Sequence, residues 1–261
     1  MKRMLSFILL LSIIVISGCT NQEKVPKENM EETHELLISA AASLTDAMTE
    51  VVSAFEEEHP DTKITVNYGG SGKLAQQLQQ GAPVDVFLSA DQAWMDKLDK
   101  EQLILPDSKI DFARNELVMI AKEASLSTID SMEDLTSAKV DQIAIGNPDS
   151  VPAGKYAEEA LKNSGLWKQI QEKFIYAKDV RQVLTYVETG NADIGFVYGS
   201  DLYRTEAVEV VTKVDESLFE PIVYPAAVVA SSENTAVAKA FVAYLESDTV
   251  QAILEKNGFK I

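Results

Sequence analysis

From Leu36 onward the chain alternates between two hydrophobic rhythms. Short apolar runs of strand length are each followed by a stretch with helical spacing. The runs Leu36–Ala40, Ile64–Tyr68, Val84–Leu88, Leu117–Ala121, Ile143–Ile145, Ile194–Tyr198, Val208–Thr212 and Ala226–Ala230 predict strands. Met48, Val51, Val52 and Phe55 recur on one helical face after Ser43, which predicts a helix capped by that serine. Further helices are predicted over Leu74–Gln80, around Trp94–Leu98, and over Ala153–Lys162, Val180–Thr189, Thr235–Leu245 and Thr249–Lys256; Gly81 and Gly190 supply C-terminal stops. Such alternation predicts an α/β fold whose ligands bind outside the carboxyl ends of parallel strands. A body of about 226 residues with about ten strands is large for one sheet, so two lobes around a cleft are expected.

The first residues break this rhythm. Lys2-Arg3 precedes an apolar stretch, Phe7–Ile16, that is short for a membrane span. It ends in Ile16-Ser17-Gly18-Cys19, which resembles a lipobox, so residues 1–18 are expected to be a lipoprotein signal peptide and Cys19 the lipidated residue. Residues 19–34 are polar and aperiodic, as in a flexible tether, and place His34 outside the folded body. Cys19 is the only cysteine, which excludes a disulfide within the chain.

Charge narrows the partners. Against 41 Asp+Glu stand 23 Lys+Arg, a formal net charge of -18. Nucleic acid and anionic membrane surfaces attract basic patches, so neither is expected as a partner.

Catalytic chemistry finds little material. There are two histidines: His34 in the expected tether and His59 before Pro60 at a helix end, neither placed for a triad or a metal site. Gly69-Gly70-Ser71-Gly72-Lys73-Leu74 fails as a phosphate loop, because Asn67 and Leu74 stand where Gly and Ser/Thr are needed. Asp85, Asp91, Asp193 and Asp201 read as caps and turn formers. What remains is a set of corresponding junctions. Ser43 and Ser71 each follow a strand among small residues, Pro152-Ala153 and Asp179-Val180 open helices, and Tyr198 ends a strand. Such junctions offer hydroxyls and unpaired N–H groups to an anion.

The run Ala41-Ala42-Ser43-Leu44-Thr45-Asp46-Ala47, with Gly81-Ala82-Pro83-Val84-Asp85-Val86-Phe87-Leu88-Ser89-Ala90-Asp91, resembles the substrate-binding proteins of molybdate ABC transporters. The resemblance continues through Val151-Pro152-Ala153-Gly154-Lys155-Tyr156-Ala157, Asp179-Val180-Arg181 and Val197-Tyr198-Gly199-Ser200-Asp201, and spans nearly all of the body. It implies a two-lobed periplasmic-binding-protein-like fold, each lobe a mostly parallel sheet flanked by helices. Lobe one would comprise 35–114 and 226–261 and lobe two 115–225, with crossings near Asn115 and Tyr224-Pro225. By motif it implies that Ser43, Ser71, Ala153, Val180 and Tyr198 hold the oxyanion through hydroxyls and backbone N–H groups. A serine-rich run would be expected around Ser71, where this chain has glycines. Lys73 and Arg181, the nearest cations, are expected to face solvent.

The expectation is therefore a monomeric, lipid-anchored protein on the extracytoplasmic face of the cell membrane. It would capture molybdate or tungstate without cofactor or catalysis and pass it to a membrane permease. Alternatives are a binding protein for another tetrahedral oxyanion such as sulfate, an enzyme acting on phosphorylated small molecules, and a surface sensor or adhesion domain that keeps the fold.

Overall fold

The computed structural model describes residues 33–122, 129–203 and 205–261. The expected signal peptide, Cys19 and all but the end of the tether lie outside the described residues. The chain enters the fold on β1 (His34–Ala41), so His34 belongs to a strand and not to a tether; its amide donates to the Asp61 carbonyl at 2.8 Å.

After β1 comes a 3-10 turn, Ala42–Leu44, then α1 (Thr45–Glu58), β2 (Thr62–Gly69), α2 (Ser71–Gln79), β3 (Val86–Leu88), α3 (Gln92–Lys100) and β4 (Ile110–Arg114). The chain then moves to β5 (Leu117–Ala121), β6 (Ile143–Gly146), α4 (Pro152–Asn163), α5 (Trp167–Ile170), β7 (Phe174–Ala177), α6 (Val180–Thr189), β8 (Ile194–Tyr198) and β9 (Glu209–Lys213). It ends with β10 (Val223–Val228), α7 (Thr235–Tyr244) and α8 (Asp248–Lys256).

These strands form two five-stranded sheets of one pattern, β2-β1-β3-β10-β4 and β7-β6-β8-β5-β9. In each, three neighbours pair in parallel and the fourth strand is antiparallel to both of its neighbours, so four of five strands point one way. The reversed strands, β10 and β5, each follow a crossing from the other sheet. The chain returns to the first sheet at Val223, earlier than the boundary expected at 226, and Tyr224-Pro225 lies within β10. The register shifts between Tyr224 and Pro225, the kind of irregularity at which a sheet tolerates proline.

The inner strands β3, β10, β6, β8 and β5 are buried on both faces, which is why they read as near-continuous apolar runs. In β3, Val86 and Leu88 join the core under α1, whereas Phe87 points to the opposite side and packs with Leu74, Leu78, Met95 and Leu98 of α2 and α3. Each such burial contributes about 1.5–3 kcal/mol. The α2 stop at Gly81 is real: its φ is +83°, which a side chain would strain.

Candidate functional site

Corresponding strand ends of the two sheets face one another. From the first sheet, the turn after β1 carries Ser43, and α2 begins at Ser71 directly after β2. From the second, α4 begins at Pro152 with Ala153 next, α6 begins at Val180, and Tyr198 is the last residue of β8. All five residues singled out in the sequence line a single small cavity. The rest of its wall is Ala41, Ala42, Gly69, Gly70, Ala90, Val151 and Pro152, so no charged side chain lines it. Ser71, Ala153 and Val180 stand in the first turns of their helices, where amides have no intrahelical acceptor. Neither α2 nor α4 has a side-chain cap, and in α6 the Asp179 cap reaches only the Gln182 amide. A larger open depression on the first lobe includes Glu35, Asp85 and Glu233, an acidic wall unsuited to an anion.

The serines do not cap their own helices. Ser71 Oγ accepts the Ala90 amide at 3.0 Å, which leaves its O–H free to donate. Ser43 Oγ lies 2.9 Å from the hydroxyl of Tyr224, which in turn accepts from Asn115 Nδ2 at 3.3 Å. With Asn115 donating, Tyr224 can give its proton to Ser43 and leave the Ser43 O–H for the cavity. Asn115 Nδ2 also donates to Ser200 Oγ at 2.8 Å and so ties this chain of bonds to the second lobe. Tyr198 differs: its hydroxyl is fully buried and has no partner. Burial pushes the Tyr198 phenol well above its usual range, so it stays a proton donor.

The lobes touch around this cavity. The Gly72 amide donates to the Ser150 carbonyl at 2.9 Å. A Cβ on Gly70 would sit 2.9 Å from the Ser150 carbonyl oxygen and 3.0 Å from that of Lys178, and one on Gly72 would sit 2.6 Å from the Trp94 ring. The glycines around Ser71, where serines were expected, are the space into which the second lobe fits. Two ion pairs flank the seam, Lys155–Asp91 and Arg181–Asp46, both at 2.8 Å. Arg181 is therefore not a solvent-facing side chain as expected: it crosses between lobes, and its other guanidinium nitrogen lies 3.9 Å from Asp201.

Residues 36–260 match the profile of the bacterial extracellular solute-binding proteins. The molybdate-binding protein ModA of Escherichia coli is 38% identical over 95% of this chain and 97% of its own length. YvgL of Bacillus subtilis, whose name describes an ABC transporter substrate-binding lipoprotein, is 38% identical over 96% of this chain and 95% of its own. The chain belongs to the bacterial extracellular solute-binding protein family. The periplasmic molybdate-binding protein of Azotobacter vinelandii superposes with a TM-score of 0.78 at 26% identity, covering 87% of this chain and 99% of that one. The two-lobed α/β fold of this solute-binding family is the one described above.

Within this solute-binding protein the remaining polar residues have structural duties. Asp85 accepts the Leu37 amide at 2.8 Å and the Ser232 hydroxyl at 2.6 Å, Asp91 caps α3, and Asp193 accepts the amides of Asp141 and Gln142 at 2.8 and 2.9 Å. Among the described residues no group of His, Cys, Asp and Glu could hold a metal ion, and no helix is long and apolar enough to cross a membrane. Asp201 is fully buried and accepts the Tyr198 amide at 3.0 Å; its other oxygen has no hydrogen bond and faces the Arg181 guanidinium at 3.9 Å. Burial raises its carboxyl to about 7, with Arg181 opposing the rise. Tyr224 and Asn115 were marked in the sequence only as crossing points. A lone tyrosine beside a strand proline carries no local sign that its hydroxyl reaches a serine 181 positions away.

Proposed function

We propose that this solute-binding protein captures molybdate, with tungstate an equal fit, outside the cytoplasmic membrane and delivers it to the permease of an ABC importer. It does so as a monomer held to the membrane through lipid on Cys19, and without a cofactor or catalysis. The observation that carries the reading is the single cavity where Ser43, Ser71, Ala153, Val180 and Tyr198 converge from both lobes, with no charged side chain in its wall. A tetrahedral dianion has no proton to give near neutral pH, so it needs donors; first-turn amides are donors only, and Ser71, which already accepts the Ala90 amide, keeps its O–H to donate. Each charge-assisted hydrogen bond contributes about 1.5–3 kcal/mol, and each helix terminus about 0.3–1 kcal/mol, up to about 2 where partly buried. Several together reach the roughly 8 kcal/mol of micromolar affinity before the cost of closing the lobes. Neutral donors reward size and shape more than charge, which favours molybdate and tungstate over sulfate. The molybdate-binding relatives support the same choice.

Calorimetric titration of the soluble protein with molybdate, tungstate, sulfate and phosphate tests this. Molybdate and tungstate are expected to bind far more tightly, and a preference for sulfate or phosphate would overturn the assignment. Cys19→Ala is expected to leave the membrane fraction or to stop maturation while binding is unchanged in soluble protein. A variant still processed and anchored would point to another attachment.

A further inference from the structure

Beside the cavity that holds the candidate donors lies a second one, and the two share Gly69 and Gly70. Its wall includes Lys73 from the first lobe, at the third position of α2, and Lys178 from the second, two residues before α6. The side-chain amides of Asn67 and Gln77 line it too. Both lysines are exposed, and neither forms an ion pair among the described residues. Lys155, Lys213, Lys239, Lys256 and Lys260, by contrast, each pair with a carboxylate. One carboxylate shares the wall, Asp179, and it is engaged in accepting the Gln182 amide at 2.9 Å. Beyond it, Asp46 at the neighbouring edge is bound by Arg181.

The setting gives this arrangement a purpose. The chain carries a formal net charge of -18, so its mean field repels any incoming dianion. A cavity wall without cations can retain such an ion once its hydration is replaced, but exerts little pull at a distance. A local positive field at the mouth is what speeds capture, because charge lining a cleft raises the local concentration of an oppositely charged solute. With one lysine on each lobe, both charges border the seam at Gly69 and Gly70.

We propose that Lys73 and Lys178 form an anion-collecting vestibule, a weak outer station for tetrahedral oxyanions that feeds the neutral-donor cavity. This rests on the oxyanion reading above and deepens it: the hydroxyls and amides set retention, and the two lysines set the capture rate.

The test is stopped-flow binding of molybdate followed by tryptophan fluorescence, with Trp94 beside Gly72 as a reporter. Wild type, Lys73→Gln/Lys178→Gln and a charge-matched control, Lys139→Gln/Lys168→Gln, are compared across ionic strength. Calorimetry of the wild type comes first, and absence of oxyanion binding there would overturn the function itself and not the vestibule alone. Given binding, the Lys73/Lys178 pair is expected to lose about tenfold in association rate at low salt, the lower end of electrostatic steering. Its dissociation rate should stay within about twofold of wild type, and the deficit should vanish near 1 M salt, where screening acts within about 3 Å. The control should associate like wild type. Equal association rates at low salt, a deficit shared by the control, a deficit that survives high salt, or a loss confined to dissociation would each overturn the vestibule.

Discussion

Lobe one brings hydroxyls that already have partners, whereas lobe two brings one that has none. Ser43 is tied to Tyr224 and Ser71 to the Ala90 amide, yet each keeps a hydrogen to donate. Tyr198 has neither donor nor acceptor beside its buried hydroxyl. The contrast teaches how a cleft can be both firm and responsive. The serines are oriented by the fold and need no reorganisation when an anion arrives. The tyrosine carries a desolvation cost of about 1–3 kcal/mol that only an acceptor in the cavity relieves. On the proposed reading, lobe one is the pre-assembled half of the site, and lobe two gains most from closure on a ligand.

The contrast is broken most severely at the seam. Gly70→Ala puts a Cβ against two carbonyls and the Val151 methyl of the other lobe. Affinity is expected to fall by up to about 3 kcal/mol, the upper range for overpacking, with the melting temperature of the ligand-free protein unchanged. Calorimetry paired with thermal denaturation reads both.

Next come the hydroxyls, compared without ligand. Ser71→Ala strands the buried Ala90 amide and is expected to lower stability by about 1–2 kcal/mol. Tyr198→Phe removes a group that has no partner and should leave stability unchanged or raised. Denaturant unfolding distinguishes them; equal losses would erase the difference between the lobes.

A separate effect lies in pH. Burial raises the Asp201 carboxyl from 3.8 to about 7. Between those values the folded protein holds a proton that the unfolded chain has released, so stability should fall as pH rises from about 4 to about 7, by at most about 1.4 kcal/mol per pH unit. Asp201→Asn should flatten that slope in unfolding titrations. Arg181→Ala, which removes the opposing cation, should carry it to higher pH.

The smallest expected change is in affinity on Arg181→Ala. Loss of the half-exposed pair with Asp46 should weaken binding by about 0.5–1 kcal/mol, measured by the same calorimetry.

Much of this was legible in the chain. The helix over Val180–Thr189 and the strand over Ile194–Tyr198 have the expected ends because Gly190 and a fully apolar run mark them plainly. The strands β4 and β7 went unpredicted: Ile110–Arg114 is short and half exposed, and Phe174–Ala177 is an edge strand fused to the end of a short helical stretch. Convergence of the five candidate residues could be anticipated from resemblance, but what each polar atom bonds to could not. Ser43 looked like a cap because a serine before a helix usually is one; its actual partner comes from β10. Arg181 looked solvated because only the folded cleft brings Asp46 to it.

The central claim is that neutral donors, not cations, retain the oxyanion. Its most direct test is calorimetric titration of molybdate, at one fixed salt concentration, into Ser43→Ala, Ser71→Ala, Tyr198→Phe, Lys73→Ala and Arg181→Ala. Each hydroxyl deletion is expected to cost about 1–3 kcal/mol of binding, and each cation deletion less. A larger loss at Lys73 or Arg181 than at the hydroxyls would contradict the account.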